Sequence, residues 1–400
     1  MADPWRAFST RLFDQNLFAV KLGLQNMRLA LDLEGSPDKA QAAIVVGGTN
    51  GKGSVSALLS NILEAHGLKC GLYTSPHLIE VRERFRINGA PVSREQTMRV
   101  GKQLLQKYGR PDATPCLTFF ELTTLMAAKI FEEEKVDVAI WEVGLGGRLD
   151  AVNTIEPALT VITTIGLDHQ EYLGNTIPLI SLEKAALARK GIPTLIGRQD
   201  HEDARQTLLE AIPDAIEVPW VEDEADFRQR HISTATLAAQ TYLGDRFDAE
   251  KAQSAVLRTR WRGRLESLEI NGATWLIDGA HNIDGARHFA AFMRHYEPDT
   301  FLIGAMKDKD LEGVFGWLKR PPFESIPIVS ATLKTQRSAQ SDQIRSTLDR
   351  AIHFESLEEA LEEIRENGFG KIAAFGSLYL VGELLMELGL SSEDLTTWKD

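Results

Sequence analysis

The residues Gly47-Gly48-Thr49-Asn50-Gly51-Lys52-Gly53-Ser54 carry the most specific chemistry in the chain. They follow a short apolar run, Ala42 to Val46. They open onto a segment where Val55, Leu58, Leu59, Ile62 and Leu63 recur at helical spacing before Gly67. The order reads strand, glycine-rich turn, helix, with Gly67 where a glycine past the helix end belongs. Successive backbone N–H groups at such a turn, with a helix N-terminus behind them, cradle phosphate. Lys52 adds positive charge for the terminal phosphates, and the Ser54 hydroxyl suits Mg²⁺. Thr49, Asn50, Gly51, Lys52, Gly53 and Ser54 are therefore the candidate triphosphate site. Gly53 stands between Lys52 and Ser54, a departure from the common G-x-x-x-x-G-K-[ST] spacing, and a plain glycine-rich turn is the competing reading.

Three further strand ends carry suggestive groups, and strand ends of an open α/β sheet are where ligands collect. Glu142 closes the apolar run before Gly144-Leu145-Gly146-Gly147-Arg148, where a carboxylate can reach a metal on the triphosphate or simply sit beside a flexible turn. His169 follows Gly166-Leu167-Asp168, as a metal ligand or as a satisfied loop histidine. Lys184, in Ser181-Leu182-Glu183-Lys184-Ala185-Ala186, is a solvated helical charge or a buried amine. A buried lysine loses its proton more readily and can then take up CO₂ as a carbamate, an anion with two oxygen ligands for Mg²⁺. Farther on, Arg264 precedes a hairpin, Asp278-Gly279-Ala280-His281-Asn282 follows it, and Gly376-Ser377-Leu378 marks the last strand-to-helix turn. Capping is the plain alternative for Ser377 and Asn282.

The elements that must position these groups alternate between strand and helix. Strand patterns run over Lys69–Thr74, Val136–Val143, Leu159–Ile165 and Pro193–Ile196, and helical ones over Glu121–Glu134 and Thr176–Lys190. The expected fold is α/β, with a mostly parallel sheet and helices on both faces. A second, smaller α/β unit opens with a hairpin, Ser267–Ile270 and Ala273–Ile277 around Asn271-Gly272. Helix (Asp284–Tyr296), strand (Phe301–Gly304), helix (Leu311–Leu318), strand (Ile326–Val329), two more helices and a strand (Lys371–Phe375) follow. The boundary falls within 245–262, giving domains 1–255 and 256–400. The stretch Gly197–Arg230 is acidic and weakly patterned.

Four hundred residues suffice for two cores, and 43% hydrophobic with 25% charged residues is ordinary globular composition. A net charge of −13 argues against a nucleic-acid surface. Two cysteines, Cys70 and Cys116, give no disulfide framework and suit a reducing, cytoplasmic setting. The N-terminus lacks a signal-peptide layout, and no apolar run approaches membrane-spanning length.

Six motifs occur in order: Gly48–Ser54, Ser75-Pro76-His77-Leu78, Glu142–Asp150, Asp168-His169, Glu183-Lys184-Ala185 and Asp278–Asn282. With them the chain resembles the folylpolyglutamate synthase and dihydrofolate synthase branch of the Mur ligase family, from about residue 16 to 385. The resemblance implies an N-terminal P-loop domain of the Mur ligase central type and a C-terminal Rossmann-like domain. It implies an ATP-dependent amide ligase that adds L-glutamate to a pteroate or folate carboxylate through an acyl phosphate. On it, Ser54, Glu142 and His169 hold Mg²⁺, and Lys184 is the carbamylated lysine. Thr49 to Ser54 hold the triphosphate, with Lys52 and Lys184 counted as catalytic. Arg264 and Asp278 reach ATP. His281, also catalytic, and Ser377 place glutamate. Ser75, Pro76 and His77, with the loop Val81–Ile87 after them, form a mobile folate side. ATP and Mg²⁺ are the implied cofactors, with K⁺ a further candidate ion, and the implied state is a monomer.

One departure stands out. The family's His-Gln-x-x-Asn-Ala element corresponds to Arg230-His231-Ile232-Ser233-Thr234-Ala235, so Thr234 replaces the Asn that meets the nucleotide. Two alternatives remain at this stage: a Mur-type ligase for a different carboxylate, and a P-loop regulatory protein without ligase activity.

Overall fold

A computed structural model describes residues 3–15, 23–219 and 227–391. These fall into two compact units. One comprises 3–219 and 228–259; the other comprises Phe227 and 260–391.

The first unit is an eight-stranded sheet. In chain order its strands are β1 (Ala42–Gly47), β2 (Cys70–Tyr73), β3 (Phe85–Ile87), β4 (Ala90–Pro91), β5 (Val138–Glu142), β6 (Leu159–Ile162), β7 (Thr194–Ile196) and β8 (Ile216–Glu217). Their spatial order is β4-β3-β2-β5-β1-β6-β7-β8. From β2 through β8 neighbours run parallel, and β3 and β4 close one edge antiparallel. β5 is buried throughout and β1 from Ala43 onward, as strands covered on both faces must be. The chain leaves β1 for β2 on one side, then passes from β5 across β1 to β6 on the other. This reversal puts a crevice at the carboxyl end of β1. The helix Phe119–Glu134 covers the β2–β5 side, and Phe131 packs edge-on against Trp141 at 5.3 Å. Its start is fixed by a capping box between Thr118 and Glu121.

The second unit is a six-stranded sheet of β9 (Glu266–Ile270), β10 (Ala273–Ile277), β11 (Thr300–Ile303), β12 (Ile328–Ala331), β13 (Ile352–Phe354) and β14 (Lys371–Phe375). The order is β13-β12-β11-β14-β10-β9, parallel except for β9. Asn271 and Gly272 both have positive φ (54° and 78°), the primed-turn geometry that suits a two-residue hairpin. Phe289, Phe301, Phe315 and Phe375 form this unit's own core.

Some elements are shorter than their sequence patterns. The helix expected over Thr176–Lys190 spans Ile177–Ala185. The one over Leu311–Leu318 is α-helical to Phe315 and continues as a 3₁₀ turn, Gly316–Lys319. The segment read as a loop over Val81–Ile87 contains a 3₁₀ turn, Val81–Arg84, and β3.

Candidate active site

The glycine-rich turn leaves β1 and enters the helix Lys52–Ala65 through Gly51, which adopts the left-handed conformation (φ 85°) at the helix N-cap. Gly48 also has positive φ, and a Cβ there would lie 1.9 Å from Thr163 Oγ1. Only glycine fits that approach. The turn is laced to the segment after β6. The N–H groups of Thr49 and Asn50 donate to Thr164 O at 2.8 and 3.1 Å. The Thr49 hydroxyl donates to Gly166 O, and the Thr163 hydroxyl to Asn50 O. Lys52 Nζ lies inside the loop, donating to Gly48 O and Thr49 O at 3.1 Å each. Ser54 sits in the first turn of the helix.

Parallel pairing gathers the other candidates at the same edge. Glu142 ends β5 in register with Val46 of β1, so its carboxylate stands beside the entry to the turn. It is buried, and Oε2 accepts the Ser75 N–H at 3.0 Å, which ties the Ser75–His77 segment to this edge. His169 lies in the segment that laces the turn, with positive φ and a half-exposed side chain. It stands at the N-cap position of the one-turn helix Gln170–Leu173, with no capping bond from its side chain.

Lys184 is buried rather than solvated. Its Nζ donates to Gly48 O at 2.9 Å and to Gly146 O at 3.3 Å, so one ammonium clasps the phosphate turn and the glycine loop after β5 together. The close approach is steric: a Cβ on Gly147 would lie 2.4 Å from Glu183 O and 3.0 Å from Lys184 Cα. Burial, with Lys52 nearby, pulls the Lys184 pKa down to about 7, against the opposing pull of Asp168, Asp150 and Glu183. Asp150 closes the glycine loop by accepting the N–H groups of Leu145 and Val152, and burial pushes its carboxyl up to about 6.

Beside this edge, Arg84 Nε donates to His77 Nδ1 at 2.9 Å, which places the imidazole proton on Nε2. Burial holds His77 well below the ordinary histidine range. Arg84 also lies over the Phe119 ring, 5.1 Å from its centroid, and Phe13 lies 5.3 Å from His77 and 5.1 Å from Phe119. The Glu83 carboxylate accepts the N–H groups of Leu78, Ile79 and Glu80 and so fixes the turn after His77. The resemblance covers Glu83 and Arg84 only as part of the loop Val81–Ile87 and gives neither a role of its own; the sequence signal for Arg84 is the recurrence of Arg82, Arg84 and Arg86 at a spacing of two, all three buried.

In the second unit, β10 and β14 are parallel neighbours, so the residues after them share one edge. The Asp278 carboxylate accepts from Leu265 N and Ala280 N at 2.8 and 2.7 Å. Burial raises its pKa, and Arg264 opposes the rise. A Cβ on Gly279 would lie 2.3 Å from an Arg264 guanidinium nitrogen, so that glycine makes room for the arginine. His281 Nδ1 pairs with Gly279 O at 2.7 Å. Asn282 and Ser377 cap the helices Ile283–Tyr296 and Leu378–Glu387.

Comparison with known proteins converges on one family. The chain matches the Mur ligase middle domain over residues 46–235 and the Mur ligase glutamate ligase domain over 263–373. It is 31% identical over 405 residues to the dihydrofolate synthase/folylpolyglutamate synthase of Buchnera aphidicola from Schizaphis graminum, covering 94% of this chain and 92% of that protein. The chain belongs to the folylpolyglutamate synthase/dihydrofolate synthase family. Among solved members, E. coli FolC in complex with DHPP and ADP superposes with a TM-score of 0.85 at 26% identity, covering 97% of this chain and 98% of that one. A bifunctional folylpolyglutamate synthase/dihydrofolate synthase with Mn, AMPPNP and L-glutamate bound gives 0.82 at 27% identity, covering 97% and 99%.

The donor chemistry fits a hard divalent ion of the kind that relative carries. A buried carboxylate at a strand end, a hydroxyl in the first helical turn and an imidazole are suitable ligands. Among the described residues no group of three or more His, Cys, Asp or Glu side chains forms a ready-made metal cage. The Thr234 hydroxyl donates to Arg230 O at 2.8 Å, within its own helix.

Proposed function

We propose that this chain joins L-glutamate to the carboxylate of dihydropteroate, of a (tetrahydro)folate, or of both, with ATP as the energy source. The observation that carries the reading is the shared edge of β5, β1 and β6, which brings a phosphate turn, a buried glutamate and a buried lysine together. A carboxylate oxygen attacks the γ-phosphorus of ATP and ADP leaves, giving an acyl phosphate. The glutamate amine then attacks the acyl carbon, phosphate leaves, and the amine gives up a proton. The first step crowds anions, so its main demand is charge neutralisation. Lys52 and the N–H groups of Thr49 to Ser54 meet the phosphates. Mg²⁺ held by Ser54, Glu142 and His169 would neutralise developing charge on the phosphoryl oxygens, and K⁺ is a further ion in this proposal.

Lys184 is assigned the carbamate role. The ammonium first gives up a proton; the neutral nitrogen then adds to CO₂ and releases a second, leaving a carbamate anion at the metal side of the turn. Ser75, Pro76 and His77 take the pterin-bearing substrate. Arg264 and Asp278 reach the nucleotide, and His281 and Ser377 place glutamate. A monomer in the cytoplasm completes the proposal; a chain with only two cysteines, Cys70 and Cys116, supports the reducing setting, and no described helix is long and apolar enough to cross a membrane.

Phosphate release measured with ATP, L-glutamate and either dihydropteroate or tetrahydrofolate tests the reading. Release that requires both glutamate and a pterin is expected. Slow hydrolysis indifferent to both would leave a nucleotide-binding protein, and turnover with another acid would leave a different Mur-type ligase.

A further inference from the structure

The phosphate turn is held on one side by the segment after β6 and on the other by a side chain from a different helix. That side chain is His231, on the helix Phe227–Leu243. A Cβ on Gly51 would lie 2.3 Å from His231 Nε2 and 2.8 Å from Cδ2, so the imidazole edge rests on the Gly51 Cα itself. The ring is buried. Two contacts fix the helix in place. Arg230 pairs with Asp200, in the segment after β7, at 2.5 Å. One turn on, buried Thr234 stands against Gly197 at the end of β7, its hydroxyl 3.3 Å from where a Cβ on that glycine would be. The residues at 231 and 234 lie on one face of the helix. Thr234 packs against the sheet end, and His231 is the group this face presents to the phosphate turn.

Gly51 is where this contact matters most. It alone turns left-handed at the helix N-cap, and that turn sets the direction of the N–H groups of Lys52, Gly53 and Ser54. We propose that His231 is a positioning residue for nucleotide binding: its ring braces Gly51 and preserves the N–H cradle for the phosphates of a nucleoside triphosphate. The proposal rests on the reading of this turn as the ATP site. It assigns His231 to ATP affinity, separate from glutamate use or the pterin side.

The test uses the full-length enzyme. ADP affinity is measured by calorimetry and the KM values for ATP, glutamate and pterin substrate by phosphate release, for wild type, His231→Ala and His231→Gln. We expect His231→Ala to weaken ADP binding and raise KM for ATP about tenfold, the scale of losing one well-placed contact. At saturating ATP, kcat stays within about twofold of wild type and the glutamate KM is unmoved. His231→Gln, planar and of similar reach, recovers most of the affinity. A second arm removes dependence on one variant's folding. Gly51→Ala costs less ADP affinity in the His231→Ala background than in wild type, because the clash partner is gone. Unchanged ADP affinity in His231→Ala overturns the proposal, as does an equal rise in all three KM values or strict additivity with Gly51→Ala. Failure of the wild type to bind ADP at all would instead remove the ATP-site reading on which the proposal stands.

Discussion

Lys184 is the residue whose behaviour depends most on tertiary structure. A helical lysine flanked by Glu183 and Ala185 reads as a surface charge, and no local pattern says otherwise. Its burial comes from two loops, whose carbonyls at Gly48 and Gly146 converge on Nζ. With a folded pKa of about 7 against an ordinary 10.5, the folded protein binds fewer protons at this site than the unfolded chain between those values. Stability therefore rises with pH across that window and carries the full penalty below it. In CO₂-free buffer, Lys184→Met should have a higher denaturant midpoint than wild type near pH 7, and the two should converge toward pH 10. A constant gap would mean that the amine is not held neutral. The same substitution should lower ligase turnover about a hundredfold or more, the range for losing a metal-side group. Acetate should restore part of the turnover lost in Lys184→Ala; near wild-type turnover would remove the lysine from the mechanism. Glu83 makes the opposite kind of contribution. It binds no substrate in this reading, yet three backbone N–H groups converge on it. Glu83→Ala should cost about 1.5–3 kcal/mol of local order. The expected signs are faster proteolysis near residues 76–82 and a higher KM for the pterin substrate, with ADP affinity unchanged; equal proteolysis rates would refute the tie.

At the scale of elements, apolar runs and glycines were the legible features. The strand before the phosphate turn, the strand ending at Glu142 and the Asn271-Gly272 hairpin all stand where their patterns put them. Each is a local statement: a run buried on both faces, or a turn that needs two positive φ values. What stayed illegible were lengths set by contacts. The helix Ile177–Ala185 ends well before Lys190. Beyond it Arg189 donates to the carbonyls of Ala186, Leu187 and Asn153, replacing helical bonds with a tertiary knot. β13 is three residues long, too short to show an alternation. Gly147 joins the two kinds of information. Its place in Gly144–Arg148 is visible in sequence, but the reason for glycine is that Glu183 O and Lys184 Cα crowd the site of a Cβ. Both neighbours are backbone and cannot rotate away. Gly147→Ala should destabilise the protein by about 1–3 kcal/mol and depress turnover by displacing Lys184. Denaturant unfolding with parallel assays checks this; an unperturbed midpoint would mean the helix yields freely.

At the scale of the whole molecule, the two units differ in what they need from each other. The second carries its own sheet and its own aromatic core, with Phe301 edge-on to Trp317 at 5.6 Å and Phe289 4.5 Å from Phe375. Its size, well above the ~40 residues below which a domain needs staples, is enough for independent folding. Residues 260–400 expressed alone should therefore melt cooperatively with α/β circular dichroism and release no phosphate from ATP. The complementary fragment 1–259 retains the turn, Glu142, His169 and Lys184, and should bind ADP. If Arg264 and Asp278 contribute to the nucleotide as proposed, the intact chain should bind ADP about tenfold tighter than this fragment, a coupling near 1.4 kcal/mol. Arg264→Ala in the intact chain should then lower affinity to the fragment's level. Equal affinities for intact chain and fragment would confine nucleotide recognition to the first unit and leave Arg264 as a partner of Asp278 alone.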